Sequence, residues 1–215
     1  MWWKGPIYFI ILINNDNIDY QNAKTGERLE IEYYSDENDN PRQWDNMGTM
    51  ILNHKNYNLG DDDYGIETYE ELVDYLKEQE AEIIVKVWGY DHGGLSISTT
   101  RSGQFADEWD SGLLGVIYAT KNDILENFTG WNSYGIRKPM RKYLTKKLRK
   151  MATRRLESEV RTYNRYLNNE IVCYTLYDKD GKEIDRLSGI YILDNEDELD
   201  AVLSEIGSKR EDWES

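Results

Sequence analysis

Hydrophobic and polar positions alternate in several short stretches of this chain, and this period-two pattern predicts β-strands. Residues 7–14 (IYFIILIN) and 28–34 (RLEIEYY) are predicted to form a strand pair within residues 1–38, linked through NAKTGE, whose glycine suits a hairpin turn. Four further strands are predicted at TMILNH (49–54), EIIVKVWGY (82–90), LSISTT (95–100) and GLLGVIYAT (112–120). The last is almost continuously apolar, which favours a central position in the sheet. Residues 171–193 are predicted to form another strand pair around an Asp-Gly turn.

Helix signals lie between these strands. Thr68 with Glu71 forms a capping box for a helix that ends near Gln79, and Thr120 with Asp123 starts a short helix. NEDELDAVLSEIG (195–207) is predicted to be a closing helix, followed by a loose tail at 208–215. A long amphipathic helix is predicted over 137–168, with Pro139 in its first turn. The whole pattern indicates one α+β domain, residues 1–215, with a mostly antiparallel sheet, one long basic helix and two or three shorter helices.

Charge is distributed unevenly along the chain. The protein has 26 basic and 41 acidic residues and a net charge of −15, yet the segment from 137 to 165 contains twelve Lys or Arg and two Glu, a charge of +10. The other residues are 14 basic and 39 acidic, a charge of −25. The basic residues singled out on the helix are Arg141, Lys142, Lys146, Lys147, Arg149, Lys150 and Arg154.

This asymmetry has three interpretations. The basic helix packs on the acidic body and pairs with its carboxylates; or it binds the phosphates of nucleic acid; or the acidic body imitates a nucleic-acid backbone towards a basic partner. Direct binding of nucleic acid is not expected, because the field of the whole molecule repels phosphate.

Three acidic stretches are predicted to face a partner, since they lie in loops or at a helix start: DENDN (36–40), GDDDYGIE (60–67) and NEDELD (195–200). The carboxylates singled out in them are Asp36, Glu37, Asp39, Asp61, Asp62, Asp63, Glu67, Glu196, Asp197 and Glu198. Loop carboxylates rarely support a core, so reversing the charge of Asp61, Asp62 and Asp63 is expected to leave folding intact.

Two corners repeat a Trp-Asp pair followed by glycine, at 44–48 and 109–112. The structural interpretation is an Asp side chain bonded to the nearby backbone, an indole packed beneath it, and permissive dihedrals at Gly48 and Gly112. The residues assigned to this structural motif are Arg42, Trp44, Asp45, Asp91, His92, Trp109 and Asp110.

The alternative for these turn residues is a metal-dependent enzyme in which Asp45, Asp91, His92 and Asp110 converge, with His54 on a strand nearby. No spacing in the chain matches a metal-binding motif, a phosphate loop or a nucleophile elbow. No catalytic residue, metal or cofactor is therefore predicted.

Three features of the sequence bear on location and partners. Cys173 is the single cysteine, so no disulfide forms within the chain, which favours a reducing compartment. The apolar run at 7–13 is too short to span a bilayer, and a cytoplasmic protein without membrane contact is expected. The 17 Tyr and 7 Trp, against 3 Phe, provide rings with a polar group, which suit half-buried and interface positions.

Five motifs, NPRQWDNMGTM, YNLGD, YDHGGLSIST, WDSGLLGVIY and EVRTYNRYL, follow one another over most of residues 40–170. With them the chain resembles an uncharacterised family of small acidic proteins encoded by bacteriophages and other mobile elements. The resemblance carries over no catalytic residue. It implies an accessory gene in a setting where counter-defence proteins are common.

The leading hypothesis is therefore an inhibitor without enzymatic activity that binds a host defence protein or complex, such as a CRISPR nuclease or a restriction enzyme, on its basic nucleic-acid-binding surface. Tyr and Trp would supply the strongest contacts. The alternatives are the metal-dependent enzyme and an accessory protein that binds nucleic acid through the basic helix.

Overall fold

A computed structural model of the protein describes residues 18–33, 39–61, 65–66, 68–106, 110–128, 143–192 and 197–214. In chain order its elements are β1 (Ile18–Asn22), β2 (Arg28–Tyr33), β3 (Thr49–Leu52), α1 (Tyr69–Glu78), β4 (Ala81–Asp91), β5 (Leu95–Ser98), β6 (Ser111–Thr120), α2 (Lys121–Phe128), α3 (Lys146–Leu167), β7 (Ile171–Tyr177), β8 (Glu183–Tyr191), α4 (Glu198–Ile206) and β9 (Trp213–Glu214). Short 3-10 helices lie at Pro41–Gln43, Gly103–Ala106 and Arg210–Asp212.

These elements form two compact units, where the sequence predicts one domain. Among the described residues, the first unit lies within 41–164 and the second within 18–40 and 165–214. One chain boundary between them falls after Asn40, and the other falls after Asn164, in the last turn of α3.

The first unit is built on a four-stranded antiparallel sheet in the order β3-β6-β4-β5. Ile51 opposes Val116 on one face, and there α1 packs through Leu72 and Leu76. The next residues along each strand point to the opposite face, as the pleat requires, and there α3 places Leu156 against the sheet beside Gly48. The two helices therefore cover opposite faces of one sheet.

The second unit contains a five-stranded antiparallel sheet in the order β8-β7-β2-β1-β9. Leu29 and Ile31 alternate with polar residues on β2, and both are fully buried beneath α4. Asp197 caps the start of α4, where its carboxylate accepts a hydrogen bond from the backbone N–H of Asp200, and Gly207 caps its end in a left-handed conformation. Val202 and Leu203 complete this core from the helix side.

The α+β prediction is confirmed by the two antiparallel sheets and the single long helix among the four that the described residues contain. The capping box at Thr68 and Glu71 is present, and β6 is a central strand. The predicted strand at 7–14 lies outside the described residues. The hairpin partner of β2 is instead β1, Ile18–Asn22, directly before the turn.

The long helix begins later than the sequence predicts. Residues 143–145 are not helical, and the Thr145 hydroxyl accepts a hydrogen bond from the backbone N–H of Leu148, so Thr145 caps the helix. The remainder of the predicted first turns, residues 137–142, lies outside the described residues.

The tail at 208–214 is packed rather than loose. Trp213 is buried in the core of the second unit, its indole N–H donates to the Ser208 hydroxyl at 2.9 Å, and β9 pairs with β1. Arg210 binds both Asp197 and Asp200 within 3 Å. One indole and one guanidinium therefore anchor a segment whose polar composition predicts disorder.

Candidate functional site

A buried arginine is central to the first corner. The 3-10 turn at Pro41–Gln43 directs the Arg42 side chain inward, where it is 3% exposed. Its Nε and Nη2 bind the two carboxylate oxygens of Asp61 at 2.5 and 2.9 Å, and Nη2 also donates to the Gly48 carbonyl at 2.7 Å. Nη1 lies 3.3 Å from Glu159. Arg42 thus joins the start of β3, the loop after it and α3.

Glu159 is the buried acidic partner of Arg42, and its side chain is 4% exposed. It accepts hydrogen bonds from the backbone N–H groups of Met47 and Gly48 at 3.0 and 3.2 Å, and from Arg155 at 3.3 Å. Buried charges require such pairing. Sequence reasoning missed Glu159, although an acidic residue on the apolar stripe of a strongly basic helix is a recognisable signal.

Asp61 therefore has a structural role. Besides holding Arg42, it accepts a hydrogen bond from the Met50 backbone N–H at 2.7 Å. The expectation that reversing its charge leaves folding intact does not fit this geometry, because a lysine there would face Arg42 across a buried contact.

The first Trp-Asp corner is held differently from the prediction. Asn46, rather than Asp45, bonds the backbone: its side-chain amide donates to the carbonyls of Pro41 and Trp44 at 2.7 and 3.0 Å. Trp44 and Asp45 are both exposed. Gly48 is required for space rather than for its dihedrals, since a Cβ there would collide with the side chains of Leu156 and Ile117. Trp109 lies outside the described residues, and Gly112 is exposed without a positive φ.

The strand-end carboxylates and histidines meet in pairs. His92 Nδ1 lies 3.0 Å from Asp110 Oδ2, and His54 Nε2 lies 3.4 Å from Asp91 Oδ2. The backbone N–H of Asp91 also donates to the Asp110 carbonyl at 2.9 Å, which holds the ends of β4 and β6 together. The structure thus places Asp91, His92 and Asp110 at adjoining strand ends and pairs His54 with Asp91, but the contacts are two separate His-Asp pairs.

His54 is committed on both ring nitrogens. Nδ1 accepts a hydrogen bond from the Asn56 backbone N–H at 3.2 Å. Nε2 therefore carries the ring proton and donates a hydrogen bond to Asp91. Burial lowers the pKa of His54, although Asp91 opposes that shift. His54 is therefore neutral at pH 7 and stabilises the turn after β3.

Among the described residues there is no group of three or more His, Cys, Asp or Glu side chains placed to hold a metal ion. Asp45 is exposed and makes no hydrogen bond or ion pair there. The two His-Asp pairs do not form one ligand set.

Some carboxylates of the predicted acidic loops make hydrogen bonds and ion pairs within the protein. Asp197 caps α4 and binds Arg210, and these contacts hold the pKa of its carboxyl below the usual value. Glu198 accepts a hydrogen bond from the Tyr33 hydroxyl at 3.2 Å, and the Asp39 carbonyl accepts one from Tyr191 at 2.6 Å. The remaining predicted residues, Asp36, Glu37, Asp62, Asp63, Glu67 and Glu196, lie outside the described residues.

A different acidic surface lies on α1. Glu70, Asp74 and Glu78 follow one another at intervals of four residues, so their side chains form a row along one exposed side of the helix. Asp74 binds Lys77 at 2.8 Å. Neither Glu70 nor Glu78 has an ion pair among the described residues. This carboxylate row, which sequence reasoning did not single out, is detectable from the spacing of the three acids.

The basic helix is amphipathic. Leu148, Ala152 and Leu156 are buried on one side. Two flanking cations are paired within the first unit, Arg149 with Glu82 and Arg155 with Glu159. The exposed basic residues without an ion pair in the described part of the chain are Lys146, Lys147, Lys150, Arg154 and Arg161. At 3.6 residues per turn they project within a sector of about 100°. Arg141 and Lys142 lie outside the described residues.

No protein-family model matches this chain, and no curated protein or solved structure matches it significantly. The resemblance to phage-encoded proteins stays a prediction that rests on the five motifs alone. Among the described helices, none combines the length and apolar character needed to cross a membrane.

Proposed function

We propose that the protein is a phage-encoded inhibitor that binds a host defence nuclease or complex, of the CRISPR or restriction type, and occupies a surface built for nucleic acid. The carboxylate row on α1, Glu70, Asp74 and Glu78, carries this proposal. Binding rather than chemistry is the activity proposed.

The row has an energetic cost to the free protein. Like charges four residues apart on a helix destabilise it by roughly 0.2–0.5 kcal/mol per pair. Glu70 also stabilises the positive end of the helix dipole, but Glu78 lies in the last turn, where an acid is unfavourable. A basic surface on a partner would reverse the sign of both terms. The row therefore supports a role in binding better than a role in folding.

The rest of the charge distribution supports the same partner. Outside residues 137–165 the chain has 39 acidic and 14 basic residues, so a basic target meets an attractive field at long range. Such a field raises the association rate, and salt weakens it. A nucleic-acid-binding groove is the common protein surface with the opposite charge.

The test is phage plating on a panel of otherwise identical hosts, each carrying one restriction or CRISPR system and expressing the protein. Wild type is expected to restore plating on at least one defended host. The variant Glu70→Lys/Asp74→Lys/Glu78→Lys is expected to lose this effect while its circular dichroism spectrum is unchanged. The matched control, Glu126→Lys/Glu183→Lys/Glu205→Lys, changes net charge equally at exposed positions spread over α2, β8 and α4, and is expected to retain it.

Two results would contradict the proposal. If wild type restores plating on no defended host, the counter-defence function is wrong. If both triple variants lose activity equally, only the total charge matters and the row on α1 is not the contact.

A second candidate function, binding of nucleic acid through α3, is favoured by the exposed basic sector of that helix. The net charge of −15 opposes it. Short duplex DNA is therefore expected to bind weakly or not at all at physiological salt in a mobility-shift assay. Tight binding that Lys146→Glu/Lys150→Glu abolishes would move the function to α3.

A further inference from the structure

An apolar groove in the first unit lies between α1 and the part of the underlying sheet face that α1 does not cover. Its volume is about 420 Å³, within the usual range for small-molecule sites. Ile84 and Leu113 line it and are 49% and 39% exposed, although both are large apolar side chains. Val73 and Leu76 form the opposite wall. A mostly apolar groove with a few polar groups at its margin has the composition of a small-molecule site.

The groove has two chemically different ends. α1 and β4 are joined by a tight reversal at Glu80, which has a φ of 51°. Going back along the helix, Tyr69 lies about 16 Å from this reversal, at 1.5 Å per residue. Going forward along the strand, Lys86 lies about 17–20 Å from it, at about 3.3 Å per residue. Tyr69 and Lys86 therefore lie towards one end of the groove, where Leu113 pairs with Trp88, and Glu80 marks the other end.

The charges on the lining give the groove a direction. Lys86 is exposed and has no ion pair among the described residues, and Glu80 likewise has none. Lys77, the third charged residue of the lining, is bound to Asp74. An anionic group is thus attracted to the end with Lys86 and the Tyr69 hydroxyl, and is repelled from the end with Glu80.

We infer that this groove binds a free single-chain amphiphile with an anionic headgroup, such as a fatty-acid-like carboxylate. The headgroup lies beside Lys86 and Tyr69, and the apolar chain lies along Val73 and Ile84 towards Glu80. This site is separate from the solvent-facing carboxylate row on α1, and the inference goes beyond the proposed function without depending on it.

The experiment is isothermal titration calorimetry of the 215-residue chain with dodecanoate and with dodecyltrimethylammonium, both below their micelle concentrations. The two probes share the same apolar chain and differ in headgroup charge. Dodecanoate is expected to bind saturably at one site, at least about tenfold more tightly than the cationic probe, a difference of about 1.4 kcal/mol.

Two variants place the site. Ile84→Asp is expected to weaken dodecanoate binding at least about tenfold, since it removes apolar surface and adds a negative charge. The matched control is Ile184→Asp on β8, because Ile184 is also 49% exposed, and it is expected to leave the affinity unchanged. Lys86 is exposed, so Lys86→Glu is expected to change the free energy of unfolding little. This variant is expected to reverse the preference between the two probes.

The inference is overturned by any of three results: no saturable binding of dodecanoate, equal affinity for the two headgroups, or equal losses in Ile84→Asp and Ile184→Asp. If Ile84→Asp does not fold, Lys86→Glu decides the matter alone, because a site elsewhere leaves its headgroup preference unchanged. The plating assay is independent of this outcome.

Discussion

Removing the Arg42 guanidinium is the most informative perturbation of the first unit. Arg42→Ala deletes four donated contacts, two to Asp61, one to Glu159 and one to the Gly48 carbonyl. Glu159 then remains a carboxylate that is 4% exposed, with Arg155 and two backbone N–H groups as its remaining partners. Breaking a buried ion pair from one side is the case in which ion pairs matter most for stability.

The expected magnitude follows from burial. Leaving a buried charge without its partner costs about 3–5 kcal/mol, whereas an exposed ion pair contributes about 0–1 kcal/mol. A domain of ordinary size has a free energy of unfolding of about 5–15 kcal/mol. Arg42→Ala is therefore expected to remove a large fraction of the stability of the first unit. Arg42→Lys is expected to recover part of the loss, since lysine keeps the charge but cannot bind Asp61 with two nitrogens.

Urea denaturation monitored by tryptophan fluorescence measures this loss, and urea leaves ion pairs unscreened. Arg149→Ala is the matched control: it removes the same group from an ion pair of the first unit, but Arg149 is 48% exposed. Its expected loss is no more than about 1 kcal/mol. The reasoning is refuted if Arg42→Ala and Arg149→Ala cost the same, because burial would then not determine the strength of the pair.

Two further predictions concern the same unit. Gly48→Ala is expected to lower the free energy of unfolding by about 1–3 kcal/mol, measured by urea denaturation, because the added Cβ overpacks against Leu156 and Ile117. The control is Gly112→Ala, where a Cβ meets open space. An equal loss in both variants would show that space at Gly48 is not limiting. Burial lowers the pKa of His54, so this ring takes up a proton near pH 6.5 in the unfolded chain and only at a lower pH in the folded protein. The stability that the neutral ring contributes is complete above about pH 6.5 and is lost as the pH falls below that value. In urea melts between about pH 7.5 and 5.5, His54→Asn is expected to flatten this decline of the free energy of unfolding with falling pH. An identical decline in the variant and in wild type would contradict the prediction.

Local order along the chain follows from neighbouring residues, and the sequence alone predicts it well. The capping box of Thr68 and Glu71 closes within one helical turn, and the same holds for Thr120 with Asp123. The Asp-Gly reversal between β7 and β8 needs only a few consecutive residues. Such features depend on contacts three or four positions apart, where chain connectivity already holds the partners together.

Features that depend on distant pairs were not accessible in this way. Arg42 meets Glu159 across 117 positions, and β2 pairs with β7, at the far end of the chain, on one side and with β1 on the other. Periodicity indicates which side of an element is buried, but it does not identify the residues that pack on that side. The sequence alone therefore indicates only a loop carboxylate at Asp61, and its contact with Arg42 is visible only in the structure. The same limit hid the packing of Trp213, whose polar neighbours predict a loose tail.

The candidate sites divide in the same way. The row Glu70, Asp74 and Glu78 and the basic sector of α3 are properties of helical spacing, and the sequence determines both once the helices are placed. The groove depends on how α1 lies across the sheet, which leaves Ile84 and Leu113 open to solvent while Val116 is covered. Only the tertiary structure decides this, because the alternation on β4 and β6 marks these residues as apolar without showing that the helix stops short of them.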